Sequence, residues 1–295
     1  MTSTAAKKGR LHSRPLTAEH IPLALRGMRL LFASVGRVLP GLMGRWAYRL
    51  WFRTRRYPDS AAGKRAVREA LRETLQVDGI PVAIYSWGEG PVVLFIHGWS
   101  GRGSQVAGFL KPLMQAGYRV MAVDAPGHGE TPGKRTNILE CARVVQAFAQ
   151  HYGPVHAVIT HSFGGMVLAY AMRQGLEAGR VVCISVPARV EFLIERFAQT
   201  LTMPAAVVVK LKLRLEQRFA EDIWELLATD ANAAQLGVPA LIIHDEDDVG
   251  VPWQQGQLIA DAWPGAQFLK TQGLGHGRIL RDAGVVAQAV EFIKT

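Results

Sequence analysis

The chain has 295 residues, 49% of them hydrophobic, and a formal net charge of +10. This length and apolar content suit one large domain with an appendage, and two cysteines exclude a fold held together by disulfides. No apolar segment follows the basic residues at the N-terminus, so we expect no secretory signal and predict a cytoplasmic protein.

Positive charge is concentrated at the start of the chain. Residues 1–72 hold 16 Lys and Arg against three acidic residues. Residues 1–19 are polar and aperiodic, and we expect them to be flexible. Over residues 21–51 apolar side chains recur at helical spacing, broken once at Pro40, which predicts two amphipathic helices. We therefore predict a basic flexible arm and helical extension over 1–72, followed by one domain over 73–295.

Two interpretations of the helical extension remain open. A basic amphipathic segment can lie peripherally on the anionic inner membrane surface, here through residues 20–56. Alternatively, the helices pack on the following domain and their arginines are solvated, which is the commoner use of an amphipathic helix. No nucleic acid is expected as a partner, because no recognised binding module is present.

Strands and helices alternate through the rest of the chain. Short apolar or β-branched runs predict strands, and longer periodic runs predict helices. The predicted strands are 75–77, 82–87, 92–96, 119–123, 155–159, 181–185, 240–244 and 267–270. The predicted helices are 61–74 (helix or linker), 105–115, 137–151, 166–174, 253–262 and 283–293, with a helical insertion over 189–234. This alternation indicates an α/β fold, with a mostly parallel central sheet and helices on both faces.

One predicted strand runs directly into a turn built around a serine. Residues 155–166 read VHAVITHSFGGM, in which Ser162 is followed closely by Gly164 and Gly165. A strand, serine and helix in this order form a nucleophile elbow, which lifts the hydroxyl above the sheet edge at the positive end of the helix. Thr160 replaces the first glycine of the usual Gly-x-Ser-x-Gly pattern, at a position that requires a small residue.

A serine nucleophile needs a base that removes its proton. Of the nine histidines, His276 has the most suitable place, a glycine-rich loop between the last strand and the last helix. His161 is next to Ser162 but is expected to point away in the tight turn. His97 and His128 lie in turns and are expected to brace loops through hydrogen bonds. His276 is therefore the predicted base.

The base in turn needs a carboxylate that orients it. Four consecutive acidic residues, 245–248, follow the predicted strand 240–244, at the sheet edge where reactive loops gather. Asp248 is the favoured acid and Asp247 the second choice. The acidic run could also hold a cation, but no second group of ligands lies near it in the sequence. We therefore predict no metal site and no cofactor.

Together these motifs resemble the α/β-hydrolase superfamily over roughly residues 75–294. The resemblance is carried by His97-Gly98-Trp99, the segment 124–131 (DAPGHGET), His161 to Gly165, Asp248 to Pro252 (DVGVP) and Gly275-His276. The superfamily's acid opens an Asp-x-x-Val-Pro segment, and its chain order is Ser, acid, His. The resemblance therefore implies a catalytic triad of Ser162, Asp248 and His276.

The resemblance also implies where the remaining site residues lie. The backbone N–H groups of Trp99 and Phe163 would form an oxyanion hole for a tetrahedral intermediate. His97 and Gly98 would lie beside the substrate. Asp124 is expected to cap its loop rather than to act as the catalytic acid.

The insertion over 189–234 resembles the helical cap of this superfamily. Its apolar residues, Phe192 and Phe197 among them, could line an acyl pocket, although most of them could equally pack on the domain below. The resemblance implies a serine hydrolase that cleaves a carboxylic ester or thioester of a hydrophobic acyl group through an acyl-enzyme. Its partner would be a small-molecule acyl substrate. The alternatives are a non-catalytic binding or membrane-scaffold protein of the same fold, and an acyltransferase or C–C bond hydrolase that uses the same residues.

Overall fold

A central sheet with helices on both of its faces organises the protein. The structure is a computed structural model, and it describes residues 22–295. The prediction of a flexible segment over residues 1–19 lies outside the described residues. The predicted α/β class, with a helical insertion and an N-terminal helical extension, is confirmed.

The sheet has eight strands and is mostly parallel. The strands are β1 (Leu71–Val77), β2 (Ile80–Trp87), β3 (Val92–Ile96), β4 (Arg119–Val123), β5 (Val155–His161), β6 (Ala178–Ile184), β7 (Ala240–Asp245) and β8 (Gln267–Thr271). They lie in the order β1-β2-β4-β3-β5-β6-β7-β8. Only the β1–β2 and β2–β4 pairs are antiparallel. The carboxyl ends of β3 to β8 therefore meet at one edge, where reactive loops gather in such sheets.

Thirteen helices surround the sheet in the described part of the chain. They are α1 (Leu23–Val38), α2 (Pro40–Trp51), α3 (Ala61–Glu69), α4 (Ala107–Gln115), α5 (Ile138–Tyr152), α6 (Phe163–Arg173), α7 (Val190–Leu201), α8 (Ala205–Phe219), α9 (Ile223–Leu226), α10 (Thr229–Ala233), α11 (Trp253–Ala262), α12 (Gly275–Arg278) and α13 (Ala283–Lys294). Side-chain caps fix several helix starts. Asn137 accepts the N–H of Glu140 at the start of α5, and Asp282 accepts the N–H of Val285 at the start of α13.

Alternate residues of each central strand fill two separate cores. In β3, Leu94 and Ile96 belong to the core under α5 and α6, whereas Val93 and Phe95 belong to the core under α4 and α13. All four side chains are buried. A strand that is buried on both faces reads as an uninterrupted apolar run, which is why the sequence predicted this strand with its correct bounds.

The structure corrects two predicted boundaries. The predicted helix or linker over 61–74 is helical only to Glu69, and β1 begins at Leu71. β1 is a largely exposed edge strand that is stabilised by pairing with β2, so it carries little apolar signal. The domain boundary predicted after residue 72 therefore falls inside β1. Helix α6 begins at Phe163, earlier than the predicted start at residue 166. The two glycines in its first turn have low helix propensity, so the local sequence did not indicate a helix there.

The N-terminal helices α1 and α2 pack against α7 and α8 of the insertion. Gly44 lets α2 approach α8 closely, since a Cβ at Gly44 would lie only 2.5 Å from the Cβ of Lys210. The rings of Phe32 and Trp46 stack between α1 and α2, with centroids 4.8 Å apart. The extension is thus packed on the insertion, as the second of the two interpretations expected. No helix within residues 22–295 combines the length and apolarity needed to cross a membrane.

Candidate active site

Ser162 lies in the sharp turn between β5 and α6. Its backbone has φ 52° and ψ −123°, a region that residues other than glycine rarely occupy. The Ser162 N–H donates to the Ile184 carbonyl at 2.9 Å, and the Gly165 N–H donates to the Ser162 carbonyl at 3.0 Å. The strained residue is therefore held on both sides, in the conformation of a nucleophile elbow.

Two glycines allow α6 to begin close to the neighbouring strands. A Cβ on Gly164 would collide with the Ile96 carbonyl oxygen, and a Cβ on Gly165 would collide with the side chain of Val186. Thr160, which replaces the first glycine of the usual pattern, is fully buried, and its hydroxyl donates to a main-chain carbonyl of β6. The turn is therefore compatible with threonine at this position.

A buried carboxylate faces the ring of His276. His276 Nδ1 and Asp248 Oδ2 are 2.7 Å apart, and Asp248 Oδ1 accepts the N–H groups of Gly250 and Val251 at 2.8 Å each. Burial would raise the pKa of Asp248, but the neighbouring histidines and the N–H donors outweigh burial and hold the pKa well below its usual range. Asp248 is thus ionised, and it can hold the His276 ring with Nδ1 protonated.

A second histidine, His244, approaches the same carboxylate. Its Nε2 donates to the Val251 carbonyl at 2.8 Å and lies 3.6 Å from Asp248 Oδ2. The side chain is fully buried in β7, and within the described residues its Nδ1 has no hydrogen-bond partner. Sequence reasoning assigned His244 no role, although a polar residue at the end of an apolar strand was a signal that could have found it.

The acids that precede Asp248 hold the loop that carries His276. Asp245 accepts the N–H groups of Leu274 and Gly275, at 3.1 and 2.8 Å. Burial opposes ionisation, yet these hydrogen bonds and others hold the pKa of Asp245 below its usual value. Asp247, the second choice as acid, accepts a third N–H group of the same loop. Within residues 22–295 no group of three potential metal ligands is close enough to hold an ion.

His276 is held near Ser162 through the residue that precedes the serine. His161 Nε2 donates to the His276 carbonyl at 2.8 Å, and the two ring centroids are 4.8 Å apart. Burial, and then the nearby His276, lower the pKa of His161 to about 3. Among the described residues, no hydrogen bond joins His276 to the Ser162 hydroxyl. The expectation that His161 points away from Ser162 left this contact unforeseen.

The main-chain N–H of Trp99 lies in the loop after β3, and that of Phe163 lies at the start of α6. Neither N–H donates to another group within residues 22–295. The two rings meet edge to face, with centroids 4.9 Å apart. The Ser100 N–H donates to His128 Nε2 at 2.9 Å and fixes the Trp99 loop. Two free N–H donors close together are suited to stabilising an oxyanion.

His97 and His128 brace the loops around the site. His97 Nε2 accepts the Ala125 N–H at 3.1 Å, and its Nδ1 donates to the Gly98 carbonyl at 2.7 Å. Burial lowers the pKa of His97 to about 4 and that of His128 to about 3. The buried His97 contacts these backbone groups and is not part of the described cavity wall. The Asp124 carboxylate accepts three hydrogen bonds and caps its loop.

A cavity of about 1050 Å³ opens beside Ser162, Trp99 and Phe163. Its walls are largely apolar and come from both the N-terminal extension and the insertion. The apolar side chains that line it include Leu25, Met28, Trp51, Leu193, Phe197 and Leu215. Of the residues predicted to contact the substrate, Phe197 lines this cavity, whereas Phe192 and Gly98 are not part of its described wall. The lining by α1 and α2 was not predicted.

Comparisons with known proteins agree with this architecture. The sequence model described as "Alpha/beta hydrolase family" matches residues 93–289. A non-heme haloperoxidase of Rhodococcus erythropolis is 36% identical over 108 residues, which cover 35% of this chain and 39% of that protein. A lysophosphatidylserine lipase of Danio rerio is 28% identical over 186 residues, which cover 58% of this chain and 47% of that protein. The matched region is thus less than half the length of either relative.

Solved structures share the fold at low sequence identity. An esterase from Exiguobacterium antarcticum superposes with a TM-score of 0.61 and 16% identity, covering 76% of this chain and 100% of the esterase. At this level of identity, the likeness concerns the fold alone.

Proposed function

This chain belongs to the alpha/beta hydrolase family, and on that basis we propose that it is a serine hydrolase of carboxylic esters or thioesters. One observation carries the proposal. Ser162 lies in a strained turn at an apolar cavity, and His161, the residue before it, hydrogen-bonds the loop that carries His276, whose ring faces the buried carboxylate of Asp248. The relative named as a lysophosphatidylserine lipase supports acyl-ester chemistry for this chain.

The proposed mechanism is nucleophilic acyl transfer. The Ser162 hydroxyl attacks the acyl carbon while His276 Nε2 takes its proton, and Asp248 orients and stabilises the imidazolium that forms. The N–H groups of Trp99 and Phe163 bind the oxyanion, each contributing on the order of 3 kcal/mol. His276 then protonates the leaving alcohol or thiol, and it activates the water that releases the acid and restores Ser162.

The mechanism requires the His276 ring to come within hydrogen-bond reach of the Ser162 hydroxyl. Hydrogen bonds between a catalytic base and its nucleophile often tighten only when substrate is bound. Asp245 and His161 fix the main chain of the His276 loop, so the proposed movement is a rotation of the His276 side chain. Asp248 would remain the partner of Nδ1 throughout.

The cavity favours a hydrophobic acyl group. Its walls are apolar, and each methylene transferred from water into such a site gains about 0.8 kcal/mol. The insertion would act as a cap over the acyl chain, with the N-terminal helices completing its wall. The proposed partner is therefore a small-molecule acyl substrate with a medium or long hydrocarbon chain.

Replacement of Ser162 tests the proposal. We expect Ser162→Ala to abolish turnover of p-nitrophenyl esters and labelling by a fluorophosphonate probe, while circular dichroism stays unchanged. Ser34→Ala, an exposed serine on α1, is the matched control and should retain both activities. If the unaltered protein takes up no probe and cleaves no ester across a range of chain lengths, the non-catalytic alternative replaces this proposal.

A further inference from the structure

The outer side of α1, α2 and α8 exposes an unusual number of large apolar side chains. Leu23, Leu30 and Val38 of α1 are 83%, 72% and 78% exposed. We define the outer face by the exposed apolar residues of the three helices and the loop between α1 and α2. These residues are Leu23, Leu30, Leu31, Val38, Leu39, Leu42, Val209 and Leu213.

Helix α1 is apolar on two opposite sides. At 100° per residue, Leu23, Leu30, Leu31 and Val38 project from one side of the helix. The opposite side is occupied by the fully buried Phe32, and by neighbours that line the cavity. The apolar side of a helix normally packs against another element. Within residues 22–295, nothing covers the outer side of α1.

The outer face is also strongly basic. Helices α1 and α2 carry five arginines and no acidic residue, and α8 carries four basic residues and one glutamate. Six of these nine cations are exposed. The exposed cations are Arg26, Arg37, Arg45, Arg49, Lys210 and Arg218. Exposed leucines with flanking arginines are the composition of a helix that lies in a membrane interface.

We propose that the outer face docks on an anionic lipid surface, with α1, α2 and α8 lying along the membrane plane. Each basic residue near such a surface contributes about 1 kcal/mol, and the leucines add apolar burial. Charge favours this occupant over two others. A second copy of the same face would repel it, and residues 1–21 carry four basic residues and one acidic residue, so they complement it poorly.

The docked orientation has a consequence for catalysis, and this step rests on the proposed function. The helices that touch the lipid would also form the cavity wall, because Leu25, Met28 and Trp51 line the cavity from α1 and α2. An ester with a long acyl chain would then pass from the lipid into the cavity with little exposure to water. Docking itself does not depend on Ser162, so Ser162→Ala should bind vesicles as the unaltered protein does.

Vesicle co-sedimentation of the full chain tests the docking. We expect it to pellet with phosphatidylcholine vesicles that contain about 30% phosphatidylglycerol, and to bind pure phosphatidylcholine at least about tenfold more weakly. The double variant Leu30→Asp/Val38→Asp should lose about tenfold or more in affinity for the anionic vesicles. Leu258→Asp, at an exposed leucine on α11, is the matched control and should bind normally.

Further measurements keep the test decisive. Circular dichroism and turnover of a water-soluble ester show whether the double variant is folded. Arg45→Gln/Arg49→Gln removes charge without adding any, and should also weaken binding to anionic vesicles. Normal vesicle binding by both double variants would overturn the proposal. A dimer in size-exclusion chromatography without lipid, converted to a monomer by Leu30→Asp, would also overturn the proposal. The outer face would then be an interface between two copies of the chain.

Discussion

His161 Nε2 donates a hydrogen bond to the main-chain carbonyl of His276, at 2.8 Å, although 115 residues separate the two in the chain. A carbonyl can only accept, so His161 carries its proton on Nε2. Burial lowers the pKa of His161 to about 3, so its ring stays neutral and does not add a charge beside His276. The residue before Ser162 thus anchors the loop that carries His276.

We predict that His161 is a positioning residue for His276. His161→Phe removes the donor, and the loss of one buried hydrogen bond, about 1 kcal/mol or slightly more, should lower kcat about tenfold with KM little changed. His161→Gln restores an N–H donor and should recover part of kcat. The measurement is steady-state kinetics on a p-nitrophenyl ester.

A matched control separates positioning from a general loss of stability. His156 also bonds a main-chain carbonyl, that of Ile293, but far from the site, and His156→Phe should leave kcat unchanged. Equal values of kcat for His161→Phe and the unaltered protein would show that the hydrogen bond to His276 has no role in the reaction.

Buried neutral histidines should make the protein sensitive to acid. The folded-state pKa of His128 is about 3, because burial opposes its charged form, and the unfolded value is about 6.5. As the pH falls below about 6.5, only the unfolded state takes up this proton, so the free energy of unfolding decreases. Between about pH 7 and pH 5, this one residue should lower the free energy of unfolding by about 2 kcal/mol.

Urea denaturation at those two pH values tests the contribution of His128. His128→Gln removes the titrating group, so the decrease between the two pH values should shrink by about 2 kcal/mol, whatever the variant's absolute stability. His151→Gln, at an exposed position of α5, is the control. An unchanged decrease in His128→Gln would mean that His128 does not gain a proton on unfolding in this range.

The close approach of α6 to β3 should tolerate no side chain at Gly164. Gly164→Ala places a methyl group against the Ile96 carbonyl oxygen, next to the His97 carbonyl. Overpacking against backbone cannot be relieved by a rotamer change, so we expect a loss of at least about 2 kcal/mol in the free energy of unfolding. Gly237→Ala, where a Cβ would meet nothing within 4 Å, should change it by less than about 0.5 kcal/mol. Similar effects of the two substitutions would refute the tight contact.

Filling the cavity should shorten the preferred acyl chain. Leu193 on α7 lines the cavity, and Leu193→Trp should reduce kcat/KM for long-chain p-nitrophenyl esters while sparing the acetate. Each methylene that no longer fits forfeits about 0.8 kcal/mol, or nearly fourfold in kcat/KM. Phe192→Trp, one residue away but outside the described cavity wall, is the matched control. If Leu193→Trp and Phe192→Trp show the same dependence of kcat/KM on chain length, the acyl chain does not bind beside Leu193.

Much of the fold could be predicted from local patterns. β3 is buried on both faces, and Asn137 caps α5, so both features are encoded within a few neighbouring residues. The edge strand β1 could not be recognised in the same way, because its exposed residues gain stability from pairing with β2 rather than from their own apolarity. Its existence depends on a partner strand.

The residues of the candidate site also differ in whether the local sequence identifies them. Ser162, Asp248 and His276 could be singled out because each lies in a short motif of characteristic composition. His244 and the contact between His161 and His276 could not, since they depend on how β5, β7 and the last loop converge at one edge of the sheet. His97 was placed beside the substrate, yet its ring is buried against loop backbone.

Sequence alone determined the alternation of strands and helices, the strained turn around the serine and the excess of positive charge at the N-terminus. Only the tertiary structure decided that the N-terminal helices pack on α8, line the cavity and leave a basic apolar face outward. The physical reason is that periodicity shows that a helix has an apolar side but not what that side contacts. α1 is apolar on both sides, and only packing selected which of them became buried.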